Sequence, residues 1–254
     1  MHEININNKK LRTDLVMEQK LSKKIDKVIE KTNKIEVTET TIDKKHYTTI
    51  KFKDITDKEN FKIVQKSFIK ELHKYLALKN KDHIMVIGLG NEKSTPDSLG
   101  PATIKNILVT RHLFLLGAVE EGYSNVSSFI PNVMGNTGIE TSEIISSVIE
   151  KVKPTKVIII DSLKTNDLKR LSKTIQITNA GISPGSGVGN SRKEISKKTI
   201  NTEVIAIGVP MVIEIDDMIV TPTDIDFLVE KLSLLIGNGI NLSLHKNFIR
   251  QNNY

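Results

Sequence analysis

The chain has 254 residues and no cysteine, and its 37 Lys and Arg against 30 Asp and Glu give a formal net charge of +7. It is long enough to bury a core, and without cysteine it excludes disulfides, thiolate nucleophiles and zinc–thiolate sites. The N-terminus, Met1-His2-Glu3-Ile4-Asn5-Ile6, lacks the apolar core of a signal peptide, and no uninterrupted apolar run approaches the roughly 20 residues of a membrane helix; the chain reads as soluble, cytoplasmic and without a membrane partner.

Residues 1–10 are polar and unpatterned, as expected of a mobile tail. Thr13 and Asp14 suit the cap of a helix over 15–31, on which Leu21, Ile25, Val28 and Ile29 form an apolar stripe. Ile35-Glu36-Val37-Thr38 and Tyr47-Thr48-Thr49-Ile50-Lys51-Phe52 alternate in the strand manner and predict a small N-terminal strand pair. Phe61, Val64, Phe68, Ile69 and Leu72 recur at helical spacing and predict a helix over 58–78.

From residue 83 onward, apolar runs alternate with helical segments. His83-Ile84-Met85-Val86-Ile87, Lys156-Val157-Ile158-Ile159-Ile160 and Val204-Ile205-Ala206-Ile207 are short and unbroken, as expected of strands buried on both faces. A further strand is expected over 174–178, and helices are expected from Pro101 to about 116, from Glu140 to about 153, and over 224–235. This order predicts an α/β fold with a mostly parallel central sheet and helices on both faces.

Two acids stand just beyond such strands. Gly88-Leu89-Gly90-Asn91 turns the chain into a polar loop that holds Asp97, and the second run ends on Asp161. In open α/β sheets ligands bind in the crevice beyond the strand ends. A pair of carboxylates there can share one proton, so that one acts as base and the other as acid. The same acids with one histidine would equally hold a metal, and the residues alone do not choose between these.

Other motifs give less. Gly88-Leu89-Gly90 lacks the third glycine of a dinucleotide fingerprint, since Lys93 stands in its place. Gly181-Ile182-Ser183-Pro184-Gly185 has the spacing of a serine-hydrolase elbow, but Pro184 has no N–H to build the oxyanion hole. The loop reads better as a close-approach segment in which the N–H groups of Gly185, Ser186 and Gly187 hold a substrate carbonyl or oxyanion. Six histidines include no His-x-x-x-His pair, and His112 reads as a structural helix residue. The lysines are mixed with Glu and Asp and accompanied by few aromatics, so specific nucleic-acid binding is not expected.

Taken together, these residues resemble the germination proteases of spore-forming bacteria. The likeness rests on Gly88-Leu89-Gly90-Asn91 with Thr95-Pro96-Asp97-Ser98-Leu99-Gly100-Pro101, on Thr110-Arg111-His112, and on Gly135-Asn136-Thr137-Gly138-Ile139-Glu140-Thr141. Asp161-Ser162-Leu163, residues 174–177, residues 183–190 with Arg192, Gly208-Val209-Pro210 and Asn241-Leu242-Ser243-Leu244-His245 extend it. The resemblance implies an endopeptidase, atypically aspartic in type, that degrades small acid-soluble DNA-coating spore proteins in the spore core during germination. It places the catalytic acids on Asp97 and Asp161, with Gly88, Gly90, Asn91, His112 and Glu140 supporting, and it implies a fold like that of hydrogenase maturation endopeptidases, with no cofactor and no metal expected. It also implies a homotetramer and a zymogen, with residues 1–10 as propeptide, 11–254 as a single peptidase domain, and Glu3–Ile4 as the first choice of processing bond. The chain departs from the family at Asn132, where glycine is usual, at Asn166, where arginine is common, and at Met211, where threonine is usual. The alternatives are a metal-assisted peptidase with the same acids, or a non-catalytic basic module that binds spore proteins or DNA.

Overall fold

The three apolar runs become the parallel centre of one sheet in the computed structural model, which describes residues 13–19, 24–183, 193–215, 218–246 and 248. After a 3-10 turn at Val16–Glu18 come strands β1 (Lys24–Lys31), β2 (Ile35–Ile42) and β3 (Lys45–Phe52), then helix α1 (Lys58–Leu76) and β4 (His83–Gly88). A second 3-10 turn, Thr95–Asp97, leads into α2 (Leu99–Ile104), followed by α3 (Arg111–Leu116), β5 (Asn125–Phe129), α4 (Met134–Thr137) and α5 (Thr141–Val152). Strands β6 (Lys156–Thr165) and β7 (Thr174–Thr178), helix α6 (Lys197–Ile200), strands β8 (Glu203–Ile215) and β9 (Met218–Val220), and helix α7 (Ile225–Leu244) complete the order.

The sheet runs β1-β2-β3-β7-β8-β6-β4-β5, with β9 paired to β8. It is mixed rather than mostly parallel. The β4–β5, β4–β6 and β6–β8 pairings are parallel; β1–β2, β2–β3, β3–β7, β7–β8 and β8–β9 are antiparallel. The reason is the link from β6 to β7: residues 166–173 hold no helix, and a parallel crossover needs a dozen or more residues. The expected N-terminal strand pair is accordingly a three-stranded meander continuous with the main sheet through β3 and β7.

Two other expectations are corrected. The segment read as a helix over 15–31 forms the 3-10 turn and β1, whose Ile25 and Val28 are 69% and 53% exposed rather than packed as a helical stripe. The single helix expected after Pro101 is two short helices. They are separated at residues 105–110, where Leu108 N donates to Asn241 Oδ1 (2.9 Å) and Asn241 Nδ2 donates to the Asn106 carbonyl (2.8 Å).

Side-chain alternation builds a core on each face. Ile84, Val86, Ile158, Ile160, Ile205 and Ile207 meet α1, α2 and α7, and Met85, Ile87, Val157 and Ile159 meet Ile145 and Ile149 of α5. Asp57 starts α1 by accepting a hydrogen bond from Asn60 N at 2.8 Å. Helix α7 is long and apolar enough to cross a membrane, yet it packs against α1 and α2, and twelve of its residues, among them Leu232, Leu235, Ile236 and Ile240, are buried. It is the core helix of this face.

Candidate active site

The site is built where β4 and β6 end. Leu89 N donates to the Ile160 carbonyl at 2.8 Å, which carries the pairing of these strands one residue past Gly88. Asp161 follows immediately on β6 and lies opposite Gly208 of β8. By alternation its side chain shares the α5 face with Val157 and Ile159, and the residue is 6% exposed. Ser162 N donates to Asp161 Oδ1 at 2.9 Å.

Asp97 reaches the same edge through the loop. Gly90 turns the chain at φ +116°, a conformation open mainly to glycine, and its missing β-carbon leaves room for Asp97, whose carbonyl oxygen would otherwise stand 1.9 Å away and its Oδ1 3.2 Å away. Asn91 N donates to the Asp97 carbonyl (2.9 Å), and Asp97 N to the Ser94 carbonyl (2.8 Å), so the half-buried carboxylate is held by a closed turn. That turn touches both β6 and β8. The two acids therefore flank one interstrand hydrogen bond, Asp161 in line with a strand and Asp97 on the loop beyond its neighbour.

Side-chain amides tie the next loop to this one. Asn136 Nδ2 donates to Asn91 Oδ1 (3.0 Å) and to Asn132 Oδ1 (2.8 Å), and Thr141 Oγ1 at the start of α5 donates to the Asn132 carbonyl (3.2 Å). Asn132 has φ +64°, a left-handed conformation that asparagine tolerates better than most residues with a side chain. Sequence reasoning quoted Asn136 only as part of a motif and did not see its bridging role; amides on loops after two adjacent strands were the signal.

A third feature was not anticipated. Residues 13–19 form a strap across the C-terminal end of β6 and the middle of β7, where Gln176 lies opposite Gly208 as Asp161 does. Lys164 N donates to Asp14 Oδ2 (2.8 Å), Asp14 N to the Lys164 carbonyl (3.1 Å), and Val16 N to Gln176 Oε1 (2.9 Å), while Leu15 and Val16 are buried. Glu18 receives Thr13 Oγ1 (2.6 Å), Asn166 N (2.8 Å) and the Thr165 hydroxyl, with Arg170 at 3.6 Å. Asn166 thus serves through its backbone. Met211 is fully buried, and its carbonyl accepts Thr221 Oγ1 at 2.9 Å.

Of the expected site residues, Asp97, Asp161, Gly88, Gly90 and Asn91 come together. Glu140 stands at the N-cap of α5, beside the amide bridge, with Oε1 buried and no hydrogen-bond partner for it among the described residues. His112 does not join them: it is exposed on α3, and the preceding Thr110 is bonded to Ser124 and Val126 at the start of β5, the opposite end of the parallel strands. Gly185, Ser186 and Gly187 lie outside the described residues, as do residues 1–10. The stems of that glycine loop are joined by a bridge between Ile182 and Ile195, and Lys193 meets Glu143 in the first turn of α5 at 3.4 Å.

Neither buried histidine is free to act at the acids. His245 accepts Ser124 N on Nδ1 (3.2 Å) and donates from Nε2 to the Leu108 carbonyl (3.3 Å), and burial lowers its pKa. His83 bonds Ser127 Oγ at 2.8 Å, and burial, with Arg111 nearby, lowers its pKa to about 4. Among the described residues no three His, Asp or Glu side chains are grouped as a metal site would require. The arrangement offers two carboxylates, one buried and one half-buried, beyond the strand ends, a pairing of groups that can give and accept protons.

A family model described as germination protease matches residues 2–217. A germination protease of Geobacillus sp. (strain WCH70) is 48% identical over 69% of this chain and 48% of its own, and one of Bacillus cereus (strain ATCC 10987 / NRS 248) is 42% identical over 90% and 70%. The chain thus spans about half the length of the first of these relatives. Among solved structures, a [NiFe] hydrogenase maturation protease from Thermococcus kodakarensis aligns with a TM-score of 0.40 and 16% identity over 67% of this chain and 98% of that one. Matched by this family model over most of its length and by these relatives at 42–48% identity, this chain belongs to the germination protease family.

Proposed function

We propose that the chain is an endopeptidase acting on small acid-soluble spore proteins in the spore core, with Asp97 and Asp161 as its catalytic pair. The observation that carries this reading is that both carboxylates flank the hydrogen bond from Leu89 N to the Ile160 carbonyl in a chain of this family. One carboxylate takes a proton from water as it attacks the scissile carbonyl, and the other delivers a proton to the leaving amine. The two roles are assigned to the pair as a unit. N–H groups of Gly185, Ser186 and Gly187 steady the oxyanion, and further copies of the chain assemble around this unit as a tetramer. Removal of part of residues 1–10 would convert a precursor to the active form.

The test is cleavage of a purified small acid-soluble spore protein by the full chain and by Asp97→Asn and Asp161→Asn, with folding checked by circular dichroism. Each amide keeps the volume but removes proton transfer, so a loss of roughly 10²–10⁴-fold is expected. A folded variant that cuts at the wild-type rate would remove that residue from the mechanism. Full activity after exhaustive chelation is expected; loss restored by one divalent ion would replace proton sharing by metal assistance.

A further inference from the structure

A second site lies at the other end of the sheet. Lys156 opens β6 five residues before Asp161, about 16 Å away along the strand. Being even-numbered on that strand, it faces α1 rather than α5, as Ile158 and Ile160 do. There, between α1, the β2–β3 hairpin, the end of β7 and the start of β8, is a cavity of about 550 Å³, a size typical of small-ligand sites.

Its lining is cationic. Lys74, Lys79, Lys156 and Lys197 border it, and of the lining residues only Glu39 and Glu203 are acidic. Lys74 is held between Glu39 (2.9 Å) and the buried Glu71 (2.6 Å); burial pulls its pKa down, but the two carboxylates outweigh this and keep it a cation. The opposite wall is less balanced. Glu203 pairs with the buried Lys156 and stands 3.8 Å from Lys197, and its pKa is lowered first by the Lys156 hydrogen bond and then by the charges of Lys156, Lys197 and Lys79. Lys156 and Lys197 thus share one carboxylate, with the charge of Lys79 also acting on it; set against the one ammonium and two carboxylates around Lys74, the cavity keeps an excess of one positive charge.

The neutral lining supplies donors. Tyr75 bonds Thr48 Oγ1 at 2.9 Å, and burial pushes its pKa up to about 12, so it remains a hydroxyl. Tyr47, Thr40, Thr41 and Asn179 add further polar groups. No arginine lines the cavity among the described residues. Lysine ammonium groups bind phosphate as point charges, and the neighbouring hydroxyls supply further donors to its oxygens.

We propose that this cavity binds a small phosphate monoester, its dianion on Lys79, Lys156 and Lys197 and its organic part toward Tyr47 and Tyr75. The site is separate from the paired acids and stands whether or not the chain cleaves protein. Isothermal titration of the full chain with adenosine 5′-monophosphate, inorganic phosphate, adenosine and succinate tests it. Both phosphate probes are expected to bind and to compete, with adenosine and succinate at least about tenfold weaker. Lys79→Glu with Lys197→Glu, both at exposed positions, should weaken the phosphate probes by about tenfold or more without loss of the circular dichroism signal. The milder pair Lys79→Gln with Lys197→Gln repeats the measurement if the first does not fold. No heat from either phosphate probe, equal affinity for succinate, or unchanged affinity in a folded double variant would overturn the assignment.

Discussion

Gly88 and Gly100 meet backbone to backbone: a β-carbon on Gly88 would stand 2.5 Å from the carbonyl carbon and oxygen of Gly100. One on Gly100 would stand 2.2 Å from the Leu89 carbonyl oxygen and 2.7 Å from that of Ile160. Helix α2 is thereby seated on the edge that carries both acids, and none of these atoms can step aside as a side chain would. Gly100→Ala is expected to cost about 3 kcal/mol or more in urea unfolding. Gly135, in α4, would meet nothing within 4 Å, and Gly135→Ala should leave stability unchanged or raise it by up to about 1 kcal/mol.

Asn136 joins two loops that carry no strand or long helix to hold them. Asn136→Ala removes both amide bonds at an exposed position, so unfolding free energy should change by no more than about 0.5 kcal/mol. Under the proposed function, kcat/KM should nevertheless fall by about tenfold or more, because small displacements at a reacting centre are amplified in rate. A variant with unchanged kcat/KM would show that the bridge is scaffolding only.

Glu18 is the anchor of the strap. Glu18→Ala removes the carboxylate that accepts from Asn166 N, leaves the Thr13 and Thr165 hydroxyls only their longer contacts to the Lys164 and Asp167 carbonyls at 3.4 Å, and leaves Arg170 with Asp167 at 3.5 Å. Loss of about 1 kcal/mol or more is expected, since three part-buried donors lose a charged acceptor. Hydrogen exchange at Val16 and Asn166 should accelerate while that of the β4 and β6 amides is retained.

His83 makes stability depend on pH. Its folded pKa is about 4 and its unfolded value about 6.5, so in that window the unfolded chain binds the proton and the folded chain does not. Stability contributed by the neutral ring is therefore present above pH 6.5 and lost as pH falls toward 4. His83→Gln keeps a partner for Ser127 and removes the titration. Between pH 7 and 4.5 the variant should lose about 1–2 kcal/mol less than the parent in urea unfolding, a figure discounted for solvent screening.

The strands and helices that the sequence made legible are those with a strong period. The runs at β4, β6 and β8 are buried on both faces, and α1 and α5 repeat at helical spacing. Asp97 and Asp161 were legible because each follows such a run. Strand β1 was misread because Leu21, Ile25, Val28 and Ile29 happen to fall at helical intervals, although Ile25 and Val28 face solvent. Strand β5 escaped because Asn125-Val126-Ser127-Ser128-Phe129 buries only Val126. The direction of β7 is not encoded in its alternation but in the shortness of the link before it, which the sequence did contain. The break between α2 and α3 depends on Asn241, more than 130 residues away, and no local pattern reports it.

The strap also orders events in time. Val16 waits for Gln176, a partner 160 residues further along the chain. On a ribosome that adds roughly 5–20 residues each second, the segment emerges early and stands idle for many seconds. β1, β2 and β3 need only their own hairpins to zip, but they reach the main sheet through β7. A segment that leaves the ribosome well before β6 and β7 is thus among the last to lock, and its closure reports that those strands have arrived.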